Sequence, residues 1–152
     1  MRKIVKILIC IISLVVLSGC GKDKYYTCKI NINNDVQNYS LKGIYKIYYD
    51  GNYVTKIEKS EKYISSEIDV LNYFKEAKEL YYNNLKDIYG GYEYKIDIKD
   101  EDLSLIINID LSKLNIKDMV YDGYINEYYV VSNKLTTSGV KELYKSKGAI
   151  CD

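Results

Sequence analysis

Four cysteines, at positions 10, 20, 28 and 151, and a run of carboxylates at Asp97, Asp100, Glu101 and Asp102 are the side chains with the most chemistry to offer, and the chain has no histidine. Without an imidazole, the usual general base of serine and cysteine hydrolases is missing. The thiols have no CxxC spacing and no histidine to complete a zinc site. Two acids of the 97–102 run could hydrolyse a glycan only if they converged in a cleft at one of the two separations that glycosidases use. That run falls between two strand-like segments and lacks the glycine and the oxygen-ligand spacing of a calcium loop, so a solvated turn is the favoured reading. Asp50-Gly51-Asn52 suits a turn without any ligand, and no phosphate-cradling glycine loop is present. No catalytic, cofactor-binding or metal-ligating residue is assigned, no cofactor is expected, and a carboxylate-dependent glycan hydrolase is the least favoured function.

Cys20 has a more specific context. Arg2, Lys3 and Lys6 make a positive start, residues 7–16 are apolar, and Leu17-Ser18-Gly19 places small side chains before Cys20. This is the order of an export signal, and the apolar stretch falls short of the roughly 20 residues that span a bilayer. Leu17-Ser18-Gly19-Cys20 resembles the bacterial lipobox. The resemblance implies cleavage between Gly19 and Cys20 and attachment of diacylglycerol, with acyl chains such as palmitate, to the Cys20 thiol. Two or more acyl chains hold a protein stably on a membrane. Residues 1–19 are then a lipoprotein signal peptide and 20–24 a lipidated tether, whose reach is on the order of 15 Å. Residues 25–152 form a single domain beside the bilayer, on the extracytoplasmic face of the cell membrane.

With the leader gone, the 22 basic residues lose Arg2, Lys3 and Lys6, leaving 19 against 21 acidic ones. A slightly acidic domain with mixed signs has no electrostatic footprint for nucleic acid or anionic lipid, and no nucleic-acid partner is expected. Cys10 leaves with the leader and Cys20 is lipidated, so Cys28 and Cys151 remain as an even pair outside the cytoplasm, which reads as a disulfide. Two unpaired buried cysteines are the competing reading. The abundance of Tyr, Lys, Asn and Ile with no Pro or Trp fits an AT-rich codon bias. Most of the 19 tyrosines are therefore read as amphipathic wall and core residues rather than as a dedicated binding surface.

Periodicity divides the rest. Tyr26, Cys28, Ile30 and Ile32 alternate with polar residues as in a half-buried strand, Asn33-Asn34-Asp35 is a turn, and two β-rich runs flank Asp50-Gly51-Asn52 as a hairpin. Across residues 65–91, Ser66 and Asp69 fit a capping signature, and Leu71, Phe74, Ala77, Tyr81, Leu85 and Ile88 recur at helical spacing. Gly90-Gly91 is the stop. Alternation then returns from Tyr92 to Ile98 and from Leu103 to Leu111. The expected architecture is α+β: an antiparallel sheet of about five strands, one long helix packed on one face, and a short C-terminal helix over residues 138–147. Residues 112–137 have no clean period, and part of them is expected to be a short helix or strand.

The segments KGIYKIYYDGNYVTKIEKSEKY, GGYEYKIDIKDEDLSLIINIDLSKL and SGVKELYKSKGA, with the helix between the first two, resemble the YehR-like small lipoproteins of bacteria in their order of elements. The resemblance covers most of the mature chain. It implies an α+β domain with an antiparallel sheet packed by helix, and because the family's molecular role is uncharacterised it carries no catalytic residue over. The expected function is a membrane-anchored, non-enzymatic binding module at the cell envelope with a protein or glycan partner. The alternative is a structural or stress-buffering envelope protein without a specific ligand. Tyr121, Tyr124, Tyr128 and Tyr129 are the first candidates for a binding surface; the alternative is that they cover an edge or face of the sheet.

Overall fold

The structure, a computed structural model, describes residues 24–152. The expected leader, Cys20 and most of the tether lie outside the described residues.

Three long antiparallel strands open the domain: β1 (Lys24–Asn34), β2 (Tyr39–Asp50) and β3 (Tyr53–Ile64). The β2–β3 hairpin turns at Gly51, whose φ of 55° favours glycine. The long helix α1 (Ile68–Tyr89) follows, then the hairpin β4 (Tyr92–Lys99) and β5 (Asp102–Asp110). β5 pairs with β3 and leaves β4 at the edge. The chain closes through α2 (Ile116–Tyr121), a 3-10 turn (Glu127–Tyr129), a small hairpin of β6 (Val130–Val131) and β7 (Lys134–Leu135), α3 (Thr137–Ser146) and β8 (Ile150–Cys151). The main sheet runs β4-β5-β3-β2-β1-β8, antiparallel throughout.

The fold is thus α+β as expected, with six strands in the main sheet among the described residues rather than about five. The added strand is β8. It holds only two residues and carries no readable period, and it is fixed by its partner: Cys151 lies opposite Cys28, to which it is disulfide-bonded. Residues 112–137 hold α2 and the small hairpin. Asn115 caps α2 by accepting from the Asp118 N–H. Ser132 and Asn133, at φ of 52° and 58°, form the two-residue turn of the hairpin.

Two local expectations for α1 are corrected. The helix starts at Ile68 with extended Glu67 at its cap and no side-chain cap from Ser66; Ser65 Oγ accepts from the Glu67 N–H instead. Asp69 still sits in the first turn, where the helix dipole favours a negative charge. The buried stripe is Leu71, Tyr82, Leu85 and Tyr89 with Phe74 beside it, while Tyr81 and Ile88 are exposed. α1 carries two apolar stripes about one residue apart, and the sheet selects the one whose tyrosine hydroxyls find partners. Tyr89 Oη donates to Asp122 at 2.6 Å, and Tyr82 Oη accepts from Lys59.

Alternation along the strands makes one face of the sheet apolar. Ile47, Leu103, Leu105 and Ile107 are fully buried there beneath Leu71 of α1 and Val140 of α3. α1 covers β4 and β5, and α3 covers β8 and part of β3. The opposite face is open and charged. Among the described residues no helix is long and apolar enough to cross a membrane.

Candidate functional site

Helices α1 and α3 do not meet over the middle of the sheet. Between them lies a cleft of about 510 Å³ whose floor is β1, β2 and β3. The period of β3 sends Ile57, Lys59, Glu61 and Tyr63 to the same, covered face. Two charged residues therefore sit where a strand otherwise places its core. Lys59 lies opposite Tyr45, and Glu61 opposite Gly43.

Glu61 is 6% exposed and its carboxylate is fully engaged. Tyr45 Oη donates to Oε1 at 3.1 Å and Tyr63 Oη donates to Oε2 at 3.0 Å. The Lys59 ammonium forms an ion pair with Oε1 at 3.7 Å, donates to Tyr82 Oη at 3.5 Å, and lies 5.3 Å from the Tyr45 ring centroid. Gly43 makes this possible. A Cβ at that position would stand 2.8 Å from Tyr45 Oη and 2.7 Å from Ile30 Cγ2, displacing the phenol that reaches Glu61. Tyr144 of α3 stacks on Tyr45 at 4.8 Å, and Lys78 of α1 lies over the Tyr63 ring at 5.5 Å. Lys147 completes the rim.

Burial, followed by the Glu61 charge, raises the Tyr45, Tyr63 and Tyr82 phenols above their ordinary range. Burial and then Tyr45 do the same for Tyr144. Burial lowers the Lys59 ammonium, against the opposing pull of Glu61. Tyr45 and Tyr63 are held as neutral hydrogen-bond donors to Glu61, Tyr82 accepts from Lys59, and Tyr144 adds a flat apolar wall. Such a cleft can hold a ligand that has polar groups between flat apolar faces. Lys59 is the amine at its floor, held between the Glu61 carboxylate and the Tyr82 hydroxyl. A larger hollow of about 740 Å³ surrounds Gly90, Gly91 and the Asp110–Lys113 ion pair, where charged side chains border buried Tyr92 and Ile109.

The residues named from sequence are placed elsewhere. Asp97 points from β4 to the open face. Asp100 and Glu101 form the β4–β5 turn, with Asp100 at φ 55°, and Asp102 pairs with Lys62 at 2.6 Å. These carboxylates are splayed around a hairpin and share no cleft. Among the described residues no group of three or more Cys, Asp or Glu side chains comes together as metal ligands. The four tyrosines lie at the end of α2, in the loop after it and in the 3-10 turn. Tyr121 and Tyr128 are 90% and 83% exposed, Tyr124 packs edge-on against Tyr89 at 5.3 Å, and Tyr129 lies against Gly139. Among the described residues no ring contact joins the four to one another. Sequence reasoning missed Lys59 and Glu61, although the signal was present: opposite charges at i and i+2 in phase with Ile57 and Tyr63.

No family model and no curated protein matches the chain. Among solved structures, the fold is similar to the NMR structure of the YehR protein of E. coli, with 19% identity and a TM-score of 0.54 over 86% of this chain and 92% of that one. It is also similar to the NMR structure of a protein from Streptococcus pneumoniae TIGR4, with 12% identity and a TM-score of 0.51 over 90% of each chain. At these identities the likeness is one of fold, and the chain has a YehR-like α+β fold.

Proposed function

We propose that the chain is a lipid-anchored protein of the extracytoplasmic face of the cell membrane, belonging to the YehR-like lipoproteins and acting by binding rather than by catalysis. The observation that carries the reading is the Cys28–Cys151 disulfide across β1 and β8. Such a bridge is characteristic of oxidising compartments, which agrees with the export signal and with Cys20 four residues before the first strand. The role in binding is supported by the cleft over Lys59 and Glu61, whose tyrosine walls suit a sugar or peptide segment of the envelope.

The test is fractionation of cells expressing the chain and its Cys20→Ala variant. The parent is expected in the membrane pellet and, after detergent phase separation, in the detergent phase. The variant is expected to lose both properties. Recovery of the parent chain from the cytosol with its leader intact contradicts the reading.

A further inference from the structure

The open face of the sheet is not as neutral as the whole chain. Its β1–β2 centre is a patch of exposed Ile44 with Lys29 directly opposite it and Lys42 and Lys46 two residues to either side on its own strand. Ile150 of β8 flanks Lys29 on the far side and is 80% exposed. Tyr25, half exposed, lies under the Lys46 ammonium, which is 5.8 Å from its ring centroid.

The counter-charges on this face are already committed or lie at its edges. Glu58 pairs with Lys56, and Asp102 pairs with Lys62. Glu93, Asp97 and Asp110 belong to the β4–β5 side, and Asp152 stands at the β8 edge, its N–H bonded to Thr27. Lys46 faces Glu58 across the β2–β3 ladder and helps, after Lys56 and Tyr48, to hold that carboxyl below its ordinary range, so it is the most nearly compensated of the three. Among the described residues Lys29, Lys42 and Lys46 have no carboxylate within 4 Å. Three lysines on adjacent strands around an exposed isoleucine make a locally basic surface with an apolar centre, which suits an external anion. Isoleucine, tyrosine and lysine together are also the side chains that sit well at a membrane interface, rings and methylenes inward and ammonium groups among headgroups.

We propose that this face docks on the bilayer, with Lys29, Lys42 and Lys46 against anionic lipid headgroups and Ile44, Ile150 and Tyr25 at the interface. The proposal rests on the envelope reading above. β1 starts four residues after Cys20, and a tether reaching on the order of 15 Å lets the face lie down beside its own anchor. Docked this way, the domain turns its helices outward and opens the Glu61 cleft away from the membrane.

The test uses the mature chain from residue 20 coupled through Cys20 to a maleimide lipid, which addresses that thiol alone because Cys28 and Cys151 are bridged. Coupling in vitro makes the result independent of whether the cell acylates Cys20. The conjugate is placed in vesicles of phosphatidylcholine, with or without about a third phosphatidylglycerol. The reaction of each lysine with a water-soluble amine reagent is then followed by mass spectrometry, with Lys75, Lys86 and Lys117 as references. Lys29, Lys42 and Lys46 are expected to react about fivefold more slowly in the anionic vesicles, recovering at about 0.5 M salt. In Lys42→Gln/Lys46→Gln, Lys29 is expected to lose that protection. Equal reactivity in the two vesicle types, or undiminished protection of Lys29 in the double variant, overturns the proposal.

Discussion

Glu61 and Lys59 occupy positions on β3 that burial would ordinarily give to leucine or valine, and their neighbours are chosen accordingly. Two phenols supply the carboxylate, a third receives the lysine, and Gly43 leaves the space in which the first phenol turns. Removing one charge of a buried pair leaves the other without compensation, a loss of several kcal/mol. Glu61→Ala is therefore expected to destabilise the domain by about 3 kcal/mol in urea unfolding. Lys59→Met in a Glu61→Gln background, which keeps an acceptor for the tyrosines and leaves no unpaired charge, is expected to restore most of that. A Glu61→Ala protein as stable as the parent would mean that the ion pair is not structural. The strand period alone places both residues inward, so their position was legible. The partners were not, because Tyr45, Tyr63, Tyr82 and Tyr144 are four of 19 tyrosines and only the pairing of strands and helices brings them together.

Among the elements, long ones were legible and short ones were not. β1 to β5, α1 and α3 each repeat their period several times. β8, α2 and the β6–β7 hairpin are too short to show one, and are held by contacts remote in sequence. The face of α1 was displaced because two apolar stripes compete and tertiary hydrogen bonds decide between them. β8 depends most on such a remote contact. Its two residues pair with β1 beside a disulfide that spans 123 residues of sequence. Closing so long a loop removes enough chain entropy from the unfolded state to stabilise the fold by about 5 kcal/mol. Cys28→Ser/Cys151→Ser is expected to lower the urea midpoint by a large fraction of the total stability and to speed amide exchange at positions 151 and 152 well before exchange in the β2–β3 hairpin. Unchanged exchange at Asp152 would show that β8 is held by its backbone pairing alone.

At the scale of the molecule, the sheet separates two environments. Its covered face carries the core and the cleft, and its open face carries lysines that a sum over the chain conceals, since 19 basic and 21 acidic residues nearly cancel. Composition could therefore exclude a generally basic protein but could not reveal a basic patch made by the register of β1 on β2. Anchor, disulfide, outward cleft and docking face form one arrangement only if the first residue of the mature chain is Cys20. The most direct measurement is the intact mass of the protein extracted from membranes, followed by sequencing of its first peptide. The account predicts a chain starting at Cys20, heavier by a diacylglycerol group at that residue and lighter by the two hydrogens of one disulfide. A chain still starting at Met1, or starting at an unmodified Cys20 with free thiols at Cys28 and Cys151, would contradict it.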